Sequence, residues 1–373
     1  MLKANPEKSA RRRAILPAVA IAVMVAGCGS QAPPSPSVSA SPSPTPLSSP
    51  SPVPSPSLVL KPILSGLLDR NGTPPISYVN SLGGFVVNVR WSDLQPLRGG
   101  PIAAGNAIDQ AITTARRLNA TYHLDLGLKL RVLAGVWAPQ WAKNLGGSPI
   151  SLINPQTGAA GSIGRFWTDP FGEAYDQLES LLAARYDNVP EVREVTVSRC
   201  TTFYDEPFIR DSGYTPNDTA LLDAGYTLAA DENCQREEIV ASAVWQHTHV
   251  DLAFNPYEVV DAGGSTKGDE LFTESMMQYC RQILSSRCVL ENNSLRTPPL
   301  SSYLAMYAAM QSLGKPIAFQ TATGSRIGSL AATLAYAISL GANSVELPGG
   351  YESLGTPSTL AATNQALAVN VIP

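Results

Sequence analysis

Beyond residue 57, short apolar runs alternate with longer stretches in which apolar residues recur every three or four positions. The runs at 58–64, 85–91, 128–136, 192–198, 249–255, 288–291, 316–320 and 342–347 are short, rich in β-branched residues and bounded by Gly, Pro or Asn, which predicts strands. Between most of them, 104–118, 170–186, 236–246, 269–284, 301–313 and 327–340 carry helical spacing. This alternation indicates an α/β fold with a mainly parallel sheet. Eight strands with intervening helices over 58–373 predict a (β/α)8 TIM barrel, although the connection after the first strand is short and shows no helix. The structural rival is a two-lobed solute-binding architecture.

Composition changes the picture at the N-terminus. The chain of 373 residues is 44% hydrophobic and 15% charged, with a formal charge of −4. Lys3, Lys8, Arg11, Arg12 and Arg13 against Glu7 give the first 13 residues +4, so the remainder carries −8 (−4 minus +4). An acidic body does not suit a nucleic-acid binder or docking on an anionic lipid surface. The apolar run 14–26 is too short for a permanent membrane span. It follows the arginines and ends in Val25-Ala26-Gly27-Cys28. This order resembles the bacterial lipoprotein signal, which implies removal of 1–27 and lipidation of Cys28, palmitate being a typical acyl chain. The body is then extracytoplasmic and anchored to the bacterial cell membrane.

Residues 31–57 hold ten Pro and ten Ser and no charged side chain, so residues 28–57 read as a lipidated Cys and a disordered, extended linker. At about 3.1 Å per residue it reaches roughly 80 Å when fully extended. Four further cysteines, Cys200, Cys234, Cys280 and Cys288, predict two disulfides in an oxidising compartment, with three pairings open. Cys280 with Cys288, and Cys200 with Cys234, is the favoured set, because the first pair joins a helix end to a strand start and the second closes a long insertion. No Cys or His spacing suits a metal, and His247 and His249 read as packing residues.

Three segments at predicted strand ends carry candidate chemistry. They are Arg90-Trp-Ser-Asp-Leu-Gln-Pro96, Gly135-Val-Trp-Ala-Pro-Gln-Trp141 and Ser198-Arg-Cys-Thr-Thr-Phe-Tyr-Asp-Glu-Pro207. Together they resemble the clan of (β/α)8 glycoside hydrolases that includes β-galactosidases and cellulases. The resemblance implies that Glu206 is the acid/base glutamate, a carboxyl with a raised pKa that protonates the departing glycosidic oxygen. Asp205 stands where the clan usually has Asn, and Gln320 stands where it has the nucleophilic Glu. Glu346, followed by Pro348-Gly349-Gly350, is the favoured substitute and Glu291 the other. Retaining chemistry needs two carboxyls about 5–5.5 Å apart, and inverting chemistry about 6.5–9.5 Å.

Trp91, Trp137, Trp141, Tyr204 and Tyr257 are candidate platforms for sugar C–H faces. Arg90, Asn255, Asn292, Asn293 and Gln320 are candidates for reading hydroxyls. The expectation is an exported, lipid-anchored, glycoside hydrolase-like protein acting on a carbohydrate. A non-catalytic glycan-binding barrel and a solute-binding lipoprotein of a transporter are the alternatives. The sequence gives no sign of a metal or organic cofactor.

Overall fold

The computed structural model describes residues 59–208, 214–260 and 266–370. The expected lipoprotein signal, Cys28 and the linker lie outside the described residues. Eight parallel strands close into a barrel in chain order: β1 Gly66–Asp69, β2 Gly84–Arg90, β3 Gly127–Leu133, β4 Val192–Thr196, β5 His249–Ala253, β6 Cys288–Leu295, β7 Ile317–Thr321 and β8 Ser344–Leu347. Closure is made by β1, which pairs with β8 (Leu68 opposite Glu346) and with β2 (Leu68 opposite Gly84). The TIM barrel is therefore present, and a two-lobed architecture is not what the described residues form.

Among the described residues, the helix layer is built by α1 Ala107–Tyr122, α2 Asp169–Tyr186, α3 Thr215–Asp223, α4 Leu228–Ala241, α5 Glu270–Leu284, α6 Leu304–Leu313, α7 Leu330–Ser339 and α8 Pro357–Ala368. Only a 3-10 turn, Ile76–Ser81, links β1 to β2. Local chemistry sets several boundaries. Asn106 caps α1 by accepting from the Ile108 and Asp109 amides, and Thr356 caps α8 in a reciprocal capping box with Thr359. Two antiparallel ribbons, Ile150–Ile153 with Ala160–Ile163 and Tyr257–Val260 with Thr266–Asp269, are inserted after β3 and β5. No helix among the described residues is long and apolar enough to cross a membrane.

The first strand differs from expectation. The run expected at 58–64 is not a strand over its described part, and the ladder begins at Gly66. Pro62 has no N–H to give a ladder. The segment instead runs under the start of the barrel, where the Lys61 amide donates to the His247 carbonyl at 2.9 Å. Leu64 is fully buried there, so close to Gly84 and Gly127 that a Cβ on either would lie 3.1 or 2.6 Å from its Cδ1. Gly66 has a φ of +92°, and a Cβ there would meet Asn364 Oδ1 at 2.0 Å. That oxygen accepts from the Leu67 amide at 2.7 Å, tying α8 to the opening strand.

The disulfides pair as favoured, Cys200 with Cys234 and Cys280 with Cys288. His249 and His247 are held to the segment below the barrel, through Nε2 with the Lys61 carbonyl and Nδ1 with the Val59 carbonyl.

Candidate functional site in the barrel mouth

The barrel interior is organised by two cations two residues apart on β3, Lys129 and Arg131. Alternation along a strand sends both to the same side. The Lys129 ammonium lies 2.7 Å from Asp251 on β5, 2.7 Å from Glu291 on β6, 2.9 Å from Glu346 on β8 and 3.4 Å from Glu194 on β4. Carboxyls from four other strands can meet one nitrogen only across the barrel axis. All of these side chains are at most 1% exposed.

Burial alone would lower the Lys129 ammonium, but the surrounding carboxyls hold it well above its ordinary value. Burial raises Glu346, yet Arg131 and Lys129 together bring it down to about 2. Burial pushes Glu194 up to about 8 and, with Asp251 beside it, Glu291 well above the usual carboxylate range. Two acids therefore keep their protons at neutral pH, which brings the interior closer to charge balance.

Arg131 carries this network up to the mouth. Its Nη2 lies 2.6 Å from Glu346, its Nε 2.8 Å from Asp205 after β4, and its Nη1 3.4 Å from Asn88 on β2. Glu206, next to Asp205, is 9% exposed and its Oε1 accepts from Asn293 Nδ2 at 2.7 Å. Burial first, and the neighbouring Asp205 second, push the Glu206 carboxyl up to about 7 against the opposing Asn293 bond. Asn293 is fixed in turn by Asn255, whose Oδ1 accepts from its amide at 2.9 Å.

The segment bearing Asp205 and Glu206 is fastened from behind by α4. Glu238 Oε2 accepts from the Arg199 and Cys200 amides at 3.0 and 3.2 Å. Gln235 Nε2 donates to the Pro207 carbonyl at 3.0 Å, and Cys234 bonds covalently to Cys200.

Beside this segment opens a cleft of about 750 Å³, walled by the ends of β2 and β3 and by the first ribbon. Asn88, Arg131, Trp137, Asn154, Tyr204 and Asp205 are among its lining residues. Tyr204 is held by its hydroxyl, which accepts from Asn154 Nδ2 at 2.8 Å. The Arg90 guanidinium lies 4.1 Å from the Trp137 ring centroid. A second hollow of about 530 Å³ sits in the helix layer between α2, α4 and α5.

Of the residues singled out in the sequence, Arg90, Trp137 and Tyr204 come together at the cleft, with Glu206 adjoining it through Asp205. Gln320 on β7 is half-buried, in register with Asn293 on β6 and Glu346 on β8. Trp91 is not in the cleft. It is fully buried, edge-on to Trp141, Phe171 and Tyr175, with its indole N–H given to Gln95. Trp141 is half-buried and donates to the Gln95 carbonyl. Tyr257 is fully buried against Phe208 and Phe272 and donates to Asp231, leaving no ring face for a ligand. Asn255 and Asn292 are buried, and Asn292 donates to the Phe254 carbonyl at 2.7 Å, binding β6 to the end of β5.

Lys129, Arg131, Asn88 and Asn154 were missed by the sequence reading. The available signal was two cations at alternate positions of an otherwise apolar strand, Leu128-Lys-Leu-Arg-Val132.

No protein-family model matches this chain, and no curated protein matches it. Among solved structures it is similar to a β-galactosidase from Rahnella sp. R3, at 13% identity over 83% of this chain and 57% of that one, with a TM-score of 0.47. It is similar to a trimodular endoglucanase at 11% identity over 82% of this chain, with a TM-score of 0.41. The chain spans about 60% of the length of that endoglucanase. It is also similar to morphinone reductase, at 13% identity over 83% of this chain and 92% of that one, with a TM-score of 0.44. A shared barrel does not fix an activity, and function rests on the site alone.

Proposed function

We propose that this chain acts on a glycan at the barrel mouth as a glycoside hydrolase, with Glu206 as the proton donor. The observation that carries the reading is a buried carboxyl, raised to about 7 by burial and Asp205, at the edge of a cleft with Trp137 and Tyr204 in its wall. Such a carboxyl is protonated at mildly acidic pH and can give its proton to a glycosidic oxygen as the C–O bond breaks. Water supplies the hydroxyl that the anomeric carbon gains and the proton that restores Glu206. Glu346 is the proposed second carboxylate. Its charge is secured by Arg131 and Lys129, as a nucleophile or electrostatic partner requires.

A second reading, a barrel that binds glycans without cleaving them, is favoured by two specific observations. Gln320 occupies the end of β7, and Glu346 lies 1% exposed beneath Arg131. In either case the chain is proposed to be exported and anchored through lipid on Cys28, which the two disulfides suit. The test is a panel of aryl glycosides and polysaccharides offered to the wild type and to Glu206→Gln. Turnover lost in the variant supports hydrolysis, and binding without turnover by either protein selects the second reading. No binding and no turnover rejects both.

A further inference from the structure

We propose that the glycan taken at the barrel mouth is anionic, with Arg70 receiving the carboxylate of a uronic acid unit and Arg90 flanking it. The inference rests on the reading of the mouth as a glycan site and names the substrate class that site would prefer.

Arg70 directly follows β1 and is half-buried. One nitrogen, Nη1, donates to the Thr321 carbonyl at the end of β7 at 2.9 Å. The Arg70 carbonyl accepts from Asn88 Nδ2 at 2.9 Å, and Asn88 lines the cleft. Arg70 is thus anchored between β7 and β2 at the barrel mouth, within charge–charge reach of Glu346, Arg131, Asp205 and Glu206.

Two of those carboxyls are committed to another cation, and Glu206 accepts from Asn293. Asp205 and Glu346 are paired with Arg131. The adjacent Asp69 spends Oδ1 on the Asn71 amide and Oδ2 on the Tyr351 hydroxyl. Among the described residues, no carboxylate lies within ion-pair distance of Arg70 or Arg90. A half-buried guanidinium without a counter-ion carries a desolvation cost that a bound anion would relieve. Its planar fork matches a carboxylate better than a lone hydroxyl. Arg90 is steadied over the Trp137 ring, so the aromatic wall carries a cation as well. The rest of the body is acidic, with −8 beyond residue 13, and would repel an anionic polymer. Two unpaired arginines at the mouth of an acidic body therefore mark a local preference.

The test measures binding of the full chain to oligogalacturonate, to its methyl ester and to dextran sulfate, by calorimetry. Arg70→Gln and Arg90→Gln are run beside the wild type. We expect the acid form to bind at least about tenfold more tightly than the ester, with Arg70→Gln removing most of that difference. Ester affinity unchanged in Arg70→Gln shows that the variant is folded, and Arg90→Gln gives an independent, smaller loss. Equal binding of acid and ester overturns the inference while leaving the glycan reading intact. Dextran sulfate binding as tightly as the uronate overturns the carboxylate assignment. If neither these sugars nor the neutral panel bind, the glycan reading itself fails and the inference falls with it.

Discussion

Lys129 is the residue whose loss the barrel interior would tolerate least. Four carboxyls from four strands face its ammonium, and none has water to fall back on. Replacing it with Met keeps the bulk but leaves Asp251 without a counter-ion and Glu346 with Arg131 alone, which costs about 3–5 kcal/mol. The loss should be larger at pH 8 than at pH 5, where the carboxyls can take up protons instead. Urea unfolding at the two pH values measures this, and an equal or smaller loss at pH 8 would count against the cage. The sequence singled out Glu206, Trp137 and Tyr204 because each sits in a short motif just past a strand. It could not show Lys129 as a hub, because its four partners lie 65 to 217 residues away and meet it only when eight strands close. Trp91 and Tyr257 were misplaced for a related reason: aromatic side chains near strand ends serve helix packing as readily as a cleft.

At the scale of elements, α4 is the support on which the Glu206 segment depends. The sequence reading placed this helix at 236–246, whereas it runs Leu228–Ala241. Its inward face carries Asp231, Cys234, Gln235 and Glu238, all buried, so an apolar period could not reveal its first half. Cys234, Gln235 and Glu238 bond the loop that follows β4, while Asp231 accepts from Tyr226 and Tyr257. The Cys200–Cys234 disulfide closes a sequence separation of 34, for which loop closure contributes roughly 3–4 kcal/mol. Cys200→Ser with Cys234→Ser should therefore lower stability by about that amount in urea. It should also raise KM or lower kcat through a loosened Glu206, whereas Cys280→Ser with Cys288→Ser should cost less and leave the mouth unaffected. Gly135, with φ +49° and a would-be Cβ 1.9 Å from the Thr202 carbonyl, is the other close approach between the β3 and β4 loops. Gly135→Ala should reduce glycan binding more than it reduces the unfolding midpoint.

For the molecule as a whole, the buried acids set a direction for stability against pH. Glu179 and Glu206 at about 7 and Glu194 at about 8 hold their protons more tightly folded than unfolded. Their contribution is fully present below the unfolded value of 4.5 and is lost as pH rises through 7 to 8. Glu346, at about 2, acts oppositely, and its contribution is lost only as pH falls through that value. Lys61, lowered to about 8, works against the loss only above that pH. Stability should thus decline from pH 5 to pH 8, read as a Tm that falls across the window. A Tm that rises over this window would contradict the assigned protonation states.

The barrel class was legible in the rhythm of strands and helices, while its first strand was displaced because Pro62 and Leu64 belong to a plug that closes the bottom. The mouth was legible only in part, since its charge pattern depends on which side chains share the axis. The pH dependence of kcat/KM, for wild type and Glu206→Gln on one cleaved glycoside, is the most direct test of Glu206 as the proton donor. We expect activity to fall as pH rises through about 7 in the wild type, and to be lost in the variant. Turnover that persists in Glu206→Gln with the same alkaline limb, or a wild type inactive at every pH, would contradict it.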